Sequence, residues 1–237
     1  GYSEGAYASF NCSPFSGDEL ERVEKNQTLL FQSLSQAPRH LIIPFQTHGT
    51  KILPVDEKFL GASGQQQQEM LNGIDALMTT GCCICISTAD CIPVLLYDRV
   101  HHVVAAVHAG WRGTVEYIVG HTLEKMRAVF GTEGQDVIAC IGPGISLQSF
   151  EVGDEVYEAF RLNGFDMSRI SFRHSVTHKY HIDLWEANRQ QLLDFGVPGV
   201  QIEIADICTY IRHEDFFSAR RLGIKSGRIL SGIMINS

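Results

Sequence analysis

The sequence predicts an α+β fold in which helices pack on the outside of mixed β-sheets. Apolar and β-branched runs crowd the middle of the chain and are separated only by short turns, so simple alternation of strands and helices fails. Other stretches carry apolar residues at helical spacing. The chain has 237 residues, 44% of them hydrophobic, which is enough to bury a sizeable core. Because no linker or internal repeat divides it, we expect residues 1–237 to form a single domain.

The first part of the chain is expected to contain one helix and two strands. Ser16 with Glu19 three residues later is typical of a capping box, and a helix should follow it. Strands are expected over residues 41–45 and 52–55. Residues 61–69 are small and polar and include four consecutive glutamines, so we interpret them as a mobile surface loop.

The central part of the chain is dense in strands. They are expected over residues 75–79, 82–87, 92–97 and 103–108. The apolar period then changes to that of a helix over residues 115–130. Thr114 can cap the start of this helix and Gly131 can end it.

The last part of the chain alternates between the two element types. Strands are expected over residues 137–141, 200–204 and 229–235, and a helix over residues 154–161. A second capping box, Asp183 with Glu186, opens another helix, which Gly196 closes.

The composition excludes a broad nucleic-acid surface. The net charge is −8 and the pI is about 5.6, whereas binding along a phosphate backbone needs clustered Lys and Arg. No signal-peptide pattern opens the sequence, and no apolar run approaches the roughly 20 residues of a membrane span. With seven cysteines, an odd number, we expect a reduced, cytoplasmic protein with free thiols. Its partner should be a small molecule rather than a nucleic acid or a membrane.

Three residues of metal-binding type lie where strand-like runs stop. His48 follows the run at 41–45, Cys91 precedes the run at 92–97, and His108 ends the run at 103–108. Two imidazoles and one thiolate suit a borderline-soft ion such as zinc, and three protein ligands leave a fourth position open for water or substrate. The same three residues could instead supply a cysteine nucleophile and a histidine base.

Two neighbouring residues are further candidates for catalysis. Arg112 lies in a strand–turn–helix segment after His108, where a helix N-terminus and a guanidinium could bind an anion. Asp90 is adjacent to Cys91 and is a candidate for proton transfer.

Other histidines and cysteines are interpreted structurally. His174, His178 and His181 lie in a polar stretch and are expected to be solvated. Cysteines 82, 83, 85 and 140 lie within strand-like runs and are expected to be buried as small hydrophobic residues. The sequence has no G-x-G-x-x-G, P-loop, H-E-x-x-H or G-x-S-x-G motif, which leaves nicotinamide, P-loop and serine-hydrolase functions unsupported.

Three motifs carry a resemblance to a known family. QTHGT at residues 46–50, TADCIPV at 88–94 and VHAGWRGT at 107–114 resemble the YfiH-like family, also called the multicopper polyphenol oxidase or laccase-domain family. The resemblance spans almost the whole chain. Two departures are Gly144, where many members carry Cys, and Ala219, where Tyr commonly precedes the Arg-Arg pair.

The resemblance implies a four-layer α/β/β/α sandwich with mixed sheets. It also implies a zinc ion held by His48, Cys91 and His108, and phosphorolysis of adenosine, inosine and methylthioadenosine together with deamination of adenosine. The expected substrates are therefore a purine nucleoside and phosphate. Alternatives are a copper-dependent polyphenol oxidase, which some members were described as, a metal-free Cys–His hydrolase and a binding module without turnover.

Overall fold

The computed structural model describes residues 1–235, and these residues contain twelve strands and nine α-helices. The strands are β1 (Leu41–Ile42), β2 (Ile52–Pro54), β3 (Ala76–Thr79), β4 (Cys83–Thr88), β5 (Ile92–Asp98), β6 (Val103–Ala109), β7 (Val137–Ile141), β8 (Glu151–Val152), β9 (Ser171–Arg173), β10 (Tyr180–Ile182), β11 (Ile202–Ile204) and β12 (Ile229–Ile233). The helices are α1 (Leu20–Ser33), α2 (Glu57–Leu60), α3 (Gly64–Leu71), α4 (Trp111–Val115), α5 (Ile118–Phe130), α6 (Asp154–Leu162), α7 (Met167–Ile170), α8 (Leu184–Phe195) and α9 (Ala219–Leu222).

The strands form three sheets, two of which mix parallel and antiparallel pairs. The largest has the order β11-β7-β5-β6-β3-β2, in which β11–β7 and β3–β2 are parallel and the pairs between them are antiparallel. A smaller sheet has the order β1-β4-β12, with β1 parallel and β12 antiparallel to β4. The third, β8-β10-β9, is antiparallel. The predicted mixed α+β class is confirmed.

The two mixed sheets pack face to face, and helices cover their outer faces. Val104 and Ala106 of β6 pack with Ile84 and Ile86 of β4 between the sheets. The alternate residues of β6 face the other way and pack with α5 and α8, as the two-residue period of a strand requires. On the far side of the small sheet, residues of α1 line the same small cavity as Cys83 and Cys85. The result is a layered α/β/β/α arrangement.

The capping box predicted at Ser16 is wrong. Helix α1 begins at Leu20 with Glu19 as its N-cap, and no side chain caps it. The Ser16 hydroxyl instead accepts a hydrogen bond from the Asn11 amide at 2.7 Å and donates to the Ser13 carbonyl at 3.1 Å. These contacts within the preceding loop compete with capping for the same hydroxyl.

The surface loop predicted over residues 61–69 is also wrong, because α3 begins within it. Ser63 accepts from the Gln66 backbone N–H, and the Gln66 side chain accepts from the Ser63 N–H, which completes a capping box. Glutamine is a good helix former, so the polar tract extends as a helix once its first turn is capped.

The single helix predicted over residues 115–130 is divided into α4 and α5. Tyr117 adopts a left-handed conformation with φ of 58° between the two helices. Thr114 lies inside α4 rather than capping a helix. Gly131 does end α5 in the left-handed conformation, as predicted. The capping of α8 by Asp183 and its end at Gly196 are confirmed as well.

Cys140, predicted to be buried, and His181, predicted to be exposed, have the opposite solvent exposure in the structure. Cys140 is exposed, because its face of β7 extends beyond the part of the large sheet that the small sheet covers. His181 is buried, and its Nδ1 donates to the Leu147 carbonyl at 3.0 Å while its ring stacks on Phe172. Among residues 1–235, no helix is both long enough and apolar enough to cross a lipid bilayer.

Candidate metal centre and its cavity

His48, Cys91 and His108 meet at one end of the large sheet. Their potential donor atoms, one sulfur and two ring nitrogens, all lie within 4.8 Å of one another. Strands β5 and β6 are antiparallel neighbours with Pro93 opposite His108, so the start of one strand lies beside the end of the other. This pairing brings Cys91 next to His108, and the loop after β1 supplies His48.

A buried carboxylate fixes the loop that carries His48. The backbone N–H groups of Thr47, His48 and Gly49 donate to the Asp75 carboxylate at 3.2, 2.9 and 2.8 Å. His48 itself has a φ of 63°, a left-handed conformation that is uncommon outside glycine. The three hydrogen bonds hold this conformation, so that the exposed His48 ring is directed at the other two residues.

The same carboxylate orients His108. The Nδ1 atom of His108 lies 2.7 Å from Asp75 Oδ1, and an ionised carboxylate can only accept, so Nδ1 carries the proton. This tautomer leaves Nε2 free to bind a metal ion. A carboxylate that holds the second nitrogen of a metal-binding histidine is a recurrent device of metal centres.

Asp75 was not identified as a site residue from the sequence. It immediately precedes β3, and β3 pairs with β6 so that Ala76 lies opposite Val107. That register places Asp75 beside His108, whose N–H donates to the Asp75 carbonyl at 2.8 Å. A buried aspartate at a strand end is the available sequence signal, but only the strand pairing connects it with the site.

The electrostatics of the cluster favour a thiolate. Burial alone would raise the pKa of Cys91, but the charges and hydrogen bonds of His108 and His48 outweigh it and lower that pKa to about 6. Burial would lower the pKa of His108, but Cys91 and Asp75 raise it to about 9. The deprotonated sulfur is the form of cysteine that binds metal ions and attacks electrophiles.

Gly110 leaves room at the centre of the cluster. A Cβ at this position would lie 2.9 Å from His48 Cδ2, 3.2 Å from Cys91 Sγ and 3.7 Å from His108 Cε1. Any larger residue would therefore crowd His48 and Cys91 and would also contact His108. The donor types, their spacing and this clearance together fit a tetrahedrally coordinated ion with one open position.

The three residues of the cluster line a cavity of about 630 Å³. The cavity walls include three phenylalanines, Phe15, Phe45 and Phe150, and two arginines, Arg220 and Arg228. Phe15 and Phe45 contact each other edge to face with ring centroids 5.4 Å apart, and both are nearly half exposed. The cavity therefore offers both an aromatic surface and positive charge beside the cluster.

Asp90 also lines the cavity, but both of its carboxylate oxygens are engaged. Oδ1 accepts from the Thr209 hydroxyl at 2.7 Å, and Oδ2 accepts from the Arg220 backbone N–H at 2.7 Å. Its carbonyl accepts from the Ile145 N–H at 2.8 Å. Asp90, whose φ is 83°, thereby connects the Cys91 segment with Thr209 and with the start of α9.

Arg112 lies outside the set of residues that line the cavity. It belongs to α4, where its guanidinium packs over the Trp111 ring at 4.3 Å from the ring centroid. The arginines that line the cavity are Arg220 and Arg228, which were not identified as site residues from the sequence. They lie more than 100 residues from the ligands along the chain, and no local pattern connects them with the site.

Known proteins resemble the whole chain. The family model described as multi-copper polyphenol oxidoreductase laccase matches residues 1–236. A purine nucleoside phosphorylase of Bacteroides thetaiotaomicron is 66% identical over 238 residues, covering 100% of this chain and 88% of the relative. Adenosine deaminase RL5, from an unknown prokaryotic organism, is 41% identical over 230 residues, covering 96% of this chain and 87% of the relative.

The fold is also found in solved structures. The crystal structure of YlmD from Geobacillus stearothermophilus superposes with a TM-score of 0.91 at 31% sequence identity, covering 100% of this chain and 88% of that chain. The layered arrangement of mixed sheets described above is therefore shared with an experimentally determined structure.

Proposed function

The chain belongs to the multi-copper polyphenol oxidoreductase laccase family, and from that membership we propose that it is a zinc-dependent enzyme of purine nucleosides. It would cleave adenosine, inosine and methylthioadenosine by phosphorolysis and would also deaminate adenosine. The observation that carries this proposal is the convergence of His48, Cys91 and His108 beside a cavity with aromatic and cationic walls. Relatives named purine nucleoside phosphorylase and adenosine deaminase support it.

The two reactions place different demands on the site. In phosphorolysis, the bond between ribose C1′ and the purine nitrogen breaks while a bond from C1′ to a phosphate oxygen forms. The electron pair leaves with the purine, which takes the proton that hydrogen phosphate gives up, so the products are ribose 1-phosphate and the free base. In deamination, water replaces the amino group of adenosine and ammonia leaves.

We assign different roles in this proposed chemistry to different residues of the chain. His48, Cys91 and His108 would hold the ion, which supplies Lewis acidity at its open position when bound. Asp75 keeps His108 in the tautomer that binds metal. The phenylalanine side chains would contact the purine face and exclude water from it. We assign Asp90 to holding the cavity wall, because both of its oxygens are already hydrogen-bonded.

Zinc is favoured over a copper cluster by the number of candidate ligands. Within residues 1–235, His48, Cys91 and His108 form the one group of three or more His, Cys, Asp or Glu side chains spaced to share an ion. Oxidation of phenols by a multicopper centre needs several copper ions. All seven cysteines are free, which suits a reducing compartment, and we propose the cytoplasm.

The proposed function is tested with enzyme of defined metal content. Zinc-loaded protein, given adenosine and phosphate, is expected to release ribose 1-phosphate and adenine, and to form inosine when phosphate is omitted. The proposal would be contradicted if protein with one zinc per chain formed no ribose 1-phosphate and no inosine. Copper-loaded protein with a phenolic substrate provides the comparison for oxidase activity.

A metal-free hydrolase is the second candidate, because Cys91, His108 and Asp75 also form a nucleophile, base and orienting carboxylate. The His108–Asp75 hydrogen bond of 2.7 Å is the contact that such a triad requires. The two candidates respond oppositely to treatment. Activity that survives a strong chelator but is lost after thiol alkylation favours the hydrolase, and activity that is lost to the chelator and restored by zinc favours the metal enzyme.

Replacing Gly110 by alanine is expected to weaken zinc binding without unfolding the protein. The backbone of Gly110 is extended, with φ of −68°, so the effect comes from the new methyl group and not from backbone strain. Overpacking typically costs about 1–3 kcal/mol, which corresponds to roughly a 5- to 150-fold loss of zinc affinity. Competition with a chromogenic chelator measures it.

The matched control is Gly81→Ala, because a Cβ at Gly81 has no neighbour within 4 Å. This variant should bind zinc like the unmodified protein. Equal zinc affinity in the Gly110 and Gly81 variants would show that the contacts of Gly110 do not limit the site.

A further inference from the structure

The cavity contains two cationic side chains without an acidic partner. Arg220 and Arg228 both line it, and among residues 1–235 no carboxylate oxygen lies within 4.0 Å of either guanidinium. Most other arginines of the described chain pair with Asp or Glu, as Arg161 does with Glu158. In a protein of net charge −8, two unpaired guanidinium groups in one cavity indicate an anionic ligand.

Arg228 is held in place by main-chain carbonyls. Its Nη1 donates to Ser226 O at 2.6 Å and to Gly227 O at 3.0 Å, and its Nη2 donates to Ile224 O at 2.8 Å. Its backbone N–H donates to Asn11 Oδ1 at 3.0 Å. These partners fix the half-buried side chain, and because they are neutral they do not cancel its charge.

Arg220 is held differently and keeps more of its donors free. Its backbone N–H is bound by Asp90, its Nη1 donates to Glu151 O at 3.1 Å, and its guanidinium lies 5.5 Å from the centre of the Phe150 ring. Within the described chain, its Nε and its Nη2 have no hydrogen-bond partner. A planar guanidinium with two adjacent donors free is suited to bidentate binding of a phosphoryl group.

We propose that Arg220 and Arg228 form the binding site for the phosphate co-substrate, on the cavity wall next to the metal-binding cluster. The inference rests on the proposed function and assigns residues to one of its substrates. Arg220 would supply the bidentate contact and Arg228 the fixed charge. A phosphoryl group can arrive as inorganic phosphate or as the 5′-phosphate of a nucleotide, and we assign the site to inorganic phosphate because phosphorolysis requires it beside the nucleoside.

The test is calorimetric titration of inorganic phosphate into the zinc-loaded protein, which does not depend on turnover. Loss of a charge-assisted hydrogen-bonded pair should raise the Kd for phosphate about tenfold or more in Arg220→Gln. Arg221→Gln is the matched control, because Arg221 is the next residue of α9, lies over the Tyr210 ring and does not line the cavity. Its phosphate affinity should equal that of the unmodified protein.

Arg228→Lys is the second variant, since lysine keeps a charge but cannot make all three carbonyl contacts. We expect weaker phosphate binding in it as well, with zinc content and thermal unfolding midpoint recorded to exclude misfolding. A parallel titration with AMP separates the two phosphate sources. Weakening of AMP binding alone, with phosphate binding intact, would overturn the assignment to inorganic phosphate.

Failure of the phosphate-site assignment can be distinguished from failure of the proposed function. Phosphorolysis by the unmodified protein, combined with equal phosphate affinity in the Arg220 and Arg221 variants, overturns this inference and leaves the function intact. Phosphate binding that depends on Arg220 in a protein that forms no ribose 1-phosphate supports the anion site while contradicting the function.

Discussion

Replacing Cys91 or His108 by alanine is expected to abolish zinc binding and nearly all activity. In the proposed site each residue would supply one of three protein ligands, and the remaining two would not hold the ion at ordinary free-metal concentrations. We expect zinc content to fall from about one per chain to near zero. Because Lewis-acid stabilisation contributes several kcal/mol to such reactions, kcat/KM should fall by roughly 1,000-fold or more. Elemental analysis and the nucleoside assay measure both effects.

His121→Ala is the control for these variants, because His121 is an exposed residue of α5 outside the cavity. It should retain zinc and activity. Circular dichroism establishes that each variant is folded. Full activity in a folded, zinc-free Cys91→Ala protein would rule out both the metal enzyme and the cysteine hydrolase, since both depend on this sulfur.

Replacing Asp75 by asparagine is expected to damage both the fold around the site and its affinity for metal. The buried carboxylate accepts from three consecutive backbone N–H groups and from His108, whereas an amide offers one acceptor oxygen and directs N–H donors at the remaining partners. Each buried donor left unpaired costs about 1–3 kcal/mol of folding free energy. Loss of the contact to His108 should weaken zinc binding about 10- to 100-fold.

Urea unfolding of the metal-free protein separates the two effects of Asp75→Asn. The fold contribution appears as a lower free energy of unfolding without metal, and the site contribution as a lower zinc affinity. Asp194→Asn, on the exposed face of α8, is the control and should change neither quantity. If Asp75→Asn bound zinc as tightly as this control, the carboxylate would not position the ligands.

The central strands could be predicted from the sequence because they are buried on both faces. β3, β4 and β6 are almost continuous apolar runs between turn residues, and this signal does not depend on partners elsewhere in the chain. The helix that begins at Gly64 could not be predicted in the same way. Its first six residues are glycine, glutamine and glutamate, and only Met70 and Leu71 at its end are apolar, so it shows no apolar period; its start depends on the capping hydrogen bonds of Ser63.

The candidate site was predictable in part. The types of His48, Cys91 and His108 and their positions at strand ends were enough to place them together. Whether Asp75 lies at the site depends on strand register, and whether Arg220 and Arg228 line the cavity depends on how distant segments of the chain pack. Neither can be inferred from the residues that flank them in sequence. Arg112 shows the converse, since its local pattern indicated an anion site and the structure packs it on Trp111.

The pairing of β12 with β4 has a consequence for how the protein is made. His48, Asp75, Cys91 and His108 leave the ribosome before β7, together with four of the six strands of the large sheet. The segment that carries Arg220 and Arg228, and the strand that completes the small sheet, emerge more than 100 residues after His108. The order of synthesis would therefore allow a nascent chain to bind the proposed ion while the three candidate ligands are still open to solvent, before Arg220 and Arg228 complete the cavity wall.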